Sequence, residues 1–396
     1  MKIPVARRMQ SLAPYLFADL DRIKREALSR GVDVISFTIG DPDLPTPDAI
    51  VRAGQAAMAD PRNHRYPAYA GSDEFRSQAA AWMKRRFGVD LDAECEIAAL
   101  IGTKEGIAHL PLAFIDPGDL AMCPEPGYPV YATATRLAGG RVHYLPLEAK
   151  NGFLPDLDAV APELAARARM LWINYPNNPT GAPAGREFLE RAVAFCRRHE
   201  ILLCSDCAYS EIVFDGRSTQ SVLQIDGARD VAIEFHSLSK SYNMTGWRVG
   251  FVAGNATAVG ALATLKSNLD SGVAGAMQQA GIAAMRQWPE NLEGLLASYR
   301  RRRDLLVDGL IRLGFEPPRP IATFYVWMPV PGGDDIAFAA RLIERAGVLV
   351  TPGSGFGPSG RGYVRLTLTL PEERITKALE RLREAGIGGG EPGGSP

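Results

Sequence analysis

The sequence predicts an α/β protein in which a large domain with a mostly parallel central sheet is joined to a smaller α+β domain. Three observations point there. Between about residues 100 and 280, short apolar runs alternate with longer amphipathic ones, the pattern of strands and helices around a parallel sheet. The runs are Leu120 to Pro124, Arg141 to Leu147, Met170 to Tyr175, Ile201 to Ser205, Val231 to Ser237 and Val249 to Ala253. The chain then changes character. A long charged helical pattern over about residues 289 to 313 leads into the strand-like Ala322 to Val330, a helix near Asp335 to Ala346, and strands near Val348 and Val364. Finally, 396 residues, 46% of them hydrophobic and 22% charged, exceed what one ordinary core accommodates.

These patterns assign residues 48 to 285 to the large domain, and 1 to 47 with 286 to 386 to the small one. The helical stretch Leu16 to Ser29 is expected to pack with the small domain, and the last strand to return toward the cleft. Residues 387 to 396, rich in Gly and Pro, are expected to form a disordered tail. With 44 basic and 45 acidic residues the net charge is −1, which offers no field for nucleic acid or an anionic membrane. A small-molecule ligand is the expected partner. The basic N-terminus is not followed by an apolar segment, so no secretory signal is expected, and five cysteines suit reduced thiols in a cytoplasm. Cys204 and Cys207 have pair spacing, but no second pair follows and Ile201-Leu202-Leu203 precedes them, so they read as structural strand residues and no metal is expected.

Four motifs fall where predicted strands end, which is where open α/β sheets bind ligands. Ser237-Leu238-Ser239-Lys240 continues to Arg248 and packs hydroxyls with cations. Alone, Lys240 reads as a loop lysine; with the other motifs it is an amine able to form an imine with an aldehyde cofactor. Gly102-Thr103-Lys104-Glu105-Gly106 opens the helical run Ile107 to Ile115 and is either a plain helix cap or a phosphate cradle of free N–H groups. Asp206-Cys207-Ala208-Tyr209 offers a carboxylate for a cap, for a loop, or for a protonated pyridine nitrogen. Asn174-Tyr175-Pro176-Asn177-Asn178-Pro179-Thr180-Gly181 is a proline-rich turn that also brings the amide of Asn178 to the sheet edge.

In this order, together with Arg365 in Tyr363-Val364-Arg365-Leu366-Thr367, the motifs resemble a class I aminotransferase of the fold-type I PLP (pyridoxal 5′-phosphate) superfamily over nearly the whole chain. The resemblance implies that Lys240 carries PLP and shuttles the proton between substrate Cα and cofactor C4′. It implies that Asp206 pairs with the ring nitrogen, Asn178 and Tyr209 bond the ring oxygen, and Tyr128 stacks on the ring. Thr103 and Lys104 (by backbone N–H), Ser237, Ser239 and Arg248 would bind the phosphate. Tyr66, in Tyr66-Pro67-Ala68-Tyr69, would reach the phosphate of the other subunit, which implies a homodimer with shared sites. Arg365 and the backbone of Gly40 would take the substrate α-carboxylate, while Phe324 is either a pocket aromatic or a core one.

Within the family, several stretches resemble the LL-diaminopimelate aminotransferases, which make a lysine and cell-wall precursor. They are Pro14-Tyr15-Leu16-Phe17, the run Gly40 to Pro47, the run Lys104 to Leu110, Glu234-Phe235-His236-Ser237 and the run Lys266 to Gly272. Lys104 and Asn268 are candidates for the second carboxylate of such a substrate. Thr103, where serine is usual, and the wording Cys204-Ser205-Asp206-Cys207 depart from the family form. Aspartate and aromatic aminotransferases share the cofactor residues and stay open as alternatives. A PLP-dependent carbon–sulfur β-lyase is a more distant one.

Overall fold

The computed structural model describes residues 3–10, 12 and 16–389. Its strands are β1 (Ile35–Ser36), β2 (Ile97–Leu100), β3 (Leu120–Glu125), β4 (Arg141–Pro146), β5 (Ala168–Asn174), β6 (Leu202–Asp206), β7 (Ala232–Ser237), β8 (Gly250–Gly254), β9 (Tyr325–Pro329), β10 (Val348–Leu349), β11 (Thr351–Pro352) and β12 (Tyr363–Thr367). Seven of them form one sheet in the order β2-β8-β7-β6-β5-β3-β4. β8 alone runs opposite to the other six. The inner strands are apolar and buried on both faces, as helical crossovers require. The helix Arg186–His199 shows why the crossovers are helical. Phe188, Leu189, Ala192, Val193 and Cys196 recur at one-face spacing and are buried, while charged residues occupy the other face.

The sequence reading finds six of these seven strands and misses β2. Ile97-Ala98-Ala99-Leu100 is too short and alanine-rich to show a strand period, yet all four residues are buried against β8.

The second core gathers around β9, β11 and β12, an antiparallel sheet in the order β11-β12-β9. The helices Glu293–Arg312, Asp335–Ala346 and Glu372–Glu384 cover it, contributing Leu306, Leu310, Phe338, Leu342, Ile375 and Leu382. The N-terminal segment contacts this sheet. β1 pairs with β10, and Phe37 O accepts from Thr367 N at 3.1 Å. These two cores are the basis on which we propose the domain division at residues 48 and 286. Ile387, expected in the tail, is buried, and Gly389 N donates to Leu313 O at 3.0 Å. The rest of that expected tail, from 390, lies outside the described residues, as do Pro14 and Tyr15. Among the described residues no helix is long and apolar enough to cross a membrane.

Candidate active site

Because β8 alone is reversed, the carboxyl ends of β2, β3, β5, β6 and β7 meet the amino end of β8 along one edge of the sheet. A cavity of about 400 Å³ opens there. Its wall includes every residue that the sequence reading assigned to cofactor or substrate, with the exceptions of Tyr66 and Asn268.

After β2, Gly102 starts the helix Thr103–Phe114 with φ 68°, and no side chain caps this helix start. A Cβ on Gly102 would collide with the Arg248 guanidinium, which rests against this turn. Arg248 itself adopts a left-handed backbone (φ 53°), uncommon for a residue with a side chain, and its Nη1 donates to Thr245 O at 2.9 Å. After β7, Ser237 Oγ accepts from Ser239 N at 3.2 Å, and Lys240 follows in the short helix Leu238–Ser241.

Lys240 Nζ donates to Gly40 O at 2.9 Å. Burial lowers its pKa to about 8; Asp41 opposes the shift, while Arg248 and Arg365 add to it. The amine is thus neutral far more often than an exposed lysine at neutral pH. Gly40 is pressed so closely onto Tyr325 that a Cβ would overlap the phenol hydroxyl.

Asp206 ends β6, in register with Asn174 at the end of β5. Tyr131 OH donates to its Oδ2 at 2.6 Å and Ala208 N to its Oδ1 at 3.1 Å. Burial pushes the Asp206 pKa up, and these two hydrogen bonds act against the shift. Asn174 fixes the neighbouring turn: its Nδ2 donates to Asp206 O and its Oδ1 accepts from Asn178 N, both at 2.8 Å.

Asn178 Oδ1 in turn accepts from Arg365 Nη1 at 2.7 Å. Arg365 projects from β12, almost fully buried. Its Nη2 donates to Thr38 O at 2.6 Å, and its guanidinium lies 4.2 Å from the Tyr325 ring centre and 4.8 Å from that of Phe356. The last strand therefore does return to the cleft. Tyr325 OH also shares a 2.8 Å hydrogen bond with Tyr209 OH.

Within the single chain, one assigned residue stands outside the cavity, and of the two readings left open for Phe324 the core one holds. Asn268 does not enter the cavity: it sits on the exposed side of the helix Ala256–Leu269, and its amide donates to Thr264 O at 2.9 Å. Phe324 is not a wall residue, because it is fully buried in the second core against Tyr209 and Tyr299; its neighbour Tyr325 lines the cavity instead. Tyr66 is 89% exposed and lies away from the cavity of its own chain. Cys204 and Cys207 are buried, and burial raises both thiols well above the ordinary range, so neither is a ready thiolate. Cys207 Sγ lies 3.2 Å from Ser205 Oγ.

Sequence reasoning also missed Tyr131, Tyr325, Phe356 and the carbonyl of Thr38. Tyr131, three residues after Tyr128 and edge-on to its ring at 5.6 Å, stands behind Asp206 and stacks on Trp172 at 4.9 Å. A backbone carbonyl such as that of Thr38 leaves no signal in a sequence.

The donor set suits PLP. A buried carboxylate held by two neutral donors matches a protonated pyridine nitrogen, which would offset the desolvation. A helix start beside Arg248, Ser237 and Ser239 matches a phosphate monoester, and a depressed lysine matches an aldehyde.

Comparison with known proteins agrees. Residues 32–382 match the family model described as aminotransferase class I and II. The chain is 55% identical over 384 residues to an LL-diaminopimelate aminotransferase of Desulforudis audaxviator, covering 97% of this chain and 98% of the relative. The solved substrate-bound structure of BacF from Bacillus subtilis superposes with a TM-score of 0.95 at 34% identity, covering 99% of this chain and 100% of that one. Aspartate aminotransferase from Thermus thermophilus with maleate gives 0.89 at 32% identity, over 97% and 100%. This chain belongs to the class I and II aminotransferases and is, like them, a PLP-dependent transaminase.

Proposed function

We propose that the enzyme transfers an amino group from LL-diaminopimelate to 2-oxoglutarate, reversibly and by a ping-pong mechanism, giving glutamate and, after ring closure with loss of water, tetrahydrodipicolinate. The observation that carries the substrate is the 55% identity, over nearly the full length of both chains, to a relative named for this activity. Residues for the transfer itself stand in one cavity.

When bound, PLP supplies the electron sink for the pair left at the substrate Cα. Arg365, prealigned by Asn178, Thr38 O and two aromatic faces, would take the α-carboxylate with its planar fork, and Gly40 would offer its backbone to the same group. Lys240, with its amine neutral a useful fraction of the time, would take the proton from Cα and return it at C4′. Asp206 would hold the proton on the ring nitrogen, Asn178 and Tyr209 would bond the ring oxygen, and Tyr128 would stack on the ring. Thr103, Lys104, Ser237, Ser239 and Arg248 would bind the phosphate. Lys104, as the cation on the wall beyond the phosphate turn, would also meet the distal carboxylate.

We further propose a homodimer working in the cytoplasm, with Tyr66 reaching the phosphate in a second copy of the chain. Met58, Tyr66, Tyr69 and Leu269 are each at least half exposed, large apolar surface of the kind that contact with another chain would cover. The five free thiols suit a reducing compartment.

Amino donors tested against 2-oxoglutarate, with LL- and meso-diaminopimelate included, decide the substrate. Equal or better turnover of aspartate or tyrosine removes the diaminopimelate reading and leaves the transaminase. Release of pyruvate and ammonia from cystathionine without a keto acid would instead reveal a β-lyase.

A further inference from the structure

Behind the phosphate turn lies a charged cluster that the reaction does not use. Lys266, in the helix Ala256–Leu269, is completely buried, and its Nζ donates to Glu105 Oε1 at 2.8 Å and to Asp270 Oδ2 at 3.2 Å. Burying an ammonium so fully demands close anionic partners. Glu105, His109 and Asp270 offer ligand atoms within 4.8 Å of one another, and the cation shared by the two carboxylates is the lysine itself.

Each carboxylate spends its second bonding capacity on backbone. Glu105 Oε2 accepts from Ile101 N at 3.0 Å, and Asp270 Oδ1 accepts from Gly272 N at 2.7 Å. Glu105 is the third residue of the helix Thr103–Phe114, and its side chain reaches back past Gly102 to the residue before it. This is like one half of a capping box but displaced by one residue, since a capping box would bond the N–H of the cap residue itself. The other half, a hydroxyl or carboxylate at the cap position, is missing because that position is Gly102. The turn is therefore held from behind by Glu105, while Thr103 and Lys104 line the cavity in front of it.

We propose that Lys266 is a positioning residue for the cofactor phosphate: through Glu105 it sets the backbone of Gly102, Thr103 and Lys104, and it neutralises carboxylates that would otherwise repel a dianion bound there. The proposal rests on the reading of this turn as the phosphate site. Loss of Lys266 should weaken the grip on the phosphate and leave the grip on the rest of the cofactor alone.

The test compares PLP with pyridoxal, which lacks the phosphate, by equilibrium titration of the full-length apoenzyme. Lys266→Met should raise the Kd for PLP at least tenfold while that for pyridoxal changes less than twofold. Adding Glu105→Gln to Lys266→Met, which removes the uncompensated carboxylate and keeps an acceptor for Ile101 N, should recover most of the loss. If Lys266→Met does not fold, Glu105→Ala carries the test, with the same phosphate-selective loss expected. Equal weakening of PLP and pyridoxal, or an unchanged Kd for PLP, overturns the proposal. A wild-type enzyme that binds PLP no tighter than pyridoxal would instead overturn the phosphate-site reading on which it rests.

Discussion

The floor of the active-site cavity and a rim of exposed apolar side chains that lines no part of that cavity within its own chain are built in opposite ways. On the floor, Asn178, Asp206, Ser239 and Arg365 are no more than 8% exposed, and Asn178, Asp206 and Arg365 are all hydrogen-bonded to the end of β5 or to the turn that follows it. Around the rim, Tyr66 is 89% exposed, Tyr69 50% and Leu269 54%. The floor is finished by the register of one sheet and one returning strand. The rim presents apolar and aromatic surface with nothing of its own chain to cover it. The contrast separates what one chain encodes, the chemistry, from what assembly would add, the closing of the site.

Substitutions on the floor should therefore act on the chemistry at any protein concentration. Lys240→Ala should lower kcat by at least about 10⁴-fold, because the imine-forming amine and the proton carrier leave together. Steady-state rates and the visible absorption of the bound cofactor check this, and retention of that absorption would count against Lys240. Arg365→Lys should reduce kcat/KM by about 10²-fold for every amino donor alike, since it removes the planar fork proposed to hold the common α-carboxylate together with the Nη1 bond to Asn178. A loss confined to one donor would move Arg365 to the distal end of the substrate.

The depressed lysine sharpens the same side of the comparison. With a pKa near 8, Lys240 of the apoenzyme is mostly charged at lower pH and mostly neutral above it. The rate of PLP uptake should therefore fall about tenfold per pH unit below 8 and level off above it. Stopped-flow uptake across pH 6 to 10 measures the midpoint, and a midpoint near the value of an exposed lysine would refute the desolvated amine. On the rim, Tyr66→Phe should weaken PLP binding by only about tenfold, the worth of one hydrogen bond to a charged group. If a second copy supplies Tyr66, wild-type PLP affinity should also fall on dilution below the dimer dissociation constant. Affinity independent of both changes would make the rim a bystander.

The floor was legible for a physical reason. Parallel strands buried on both faces read as short apolar runs, and the first polar residues after them are where ligands sit, so Asn178, Asp206 and Lys240 announced themselves. β2 did not, because four residues with two alanines carry no period. Asn268 lies outside the cavity of its own chain because a motif records neighbours in sequence, whereas a helix turns roughly 200° over two residues. Lys266 points fully inward, so Asn268 faces outward. Tyr325 was obscured by Phe324: in β9 and the residues leading into it, alternate side chains face opposite ways, and sequence alone did not fix which one faced the cavity.

The single reversed strand, β8, gives the site an unusual economy of connection. Elsewhere the chain must travel through a crossover to bring a new strand end to the cavity. Between Lys240 and Arg248 it needs only a short loop, since β8 begins where β7 ends. The reactive amine and the guanidinium behind the phosphate turn are thus spaced by the length of one connector. An insertion within residues 242 to 247 would change that spacing directly, whereas insertions in the connections at the opposite edge of the sheet would leave it intact. For redesign, this loop sets the spacing between the Lys240 amine and the Arg248 guanidinium.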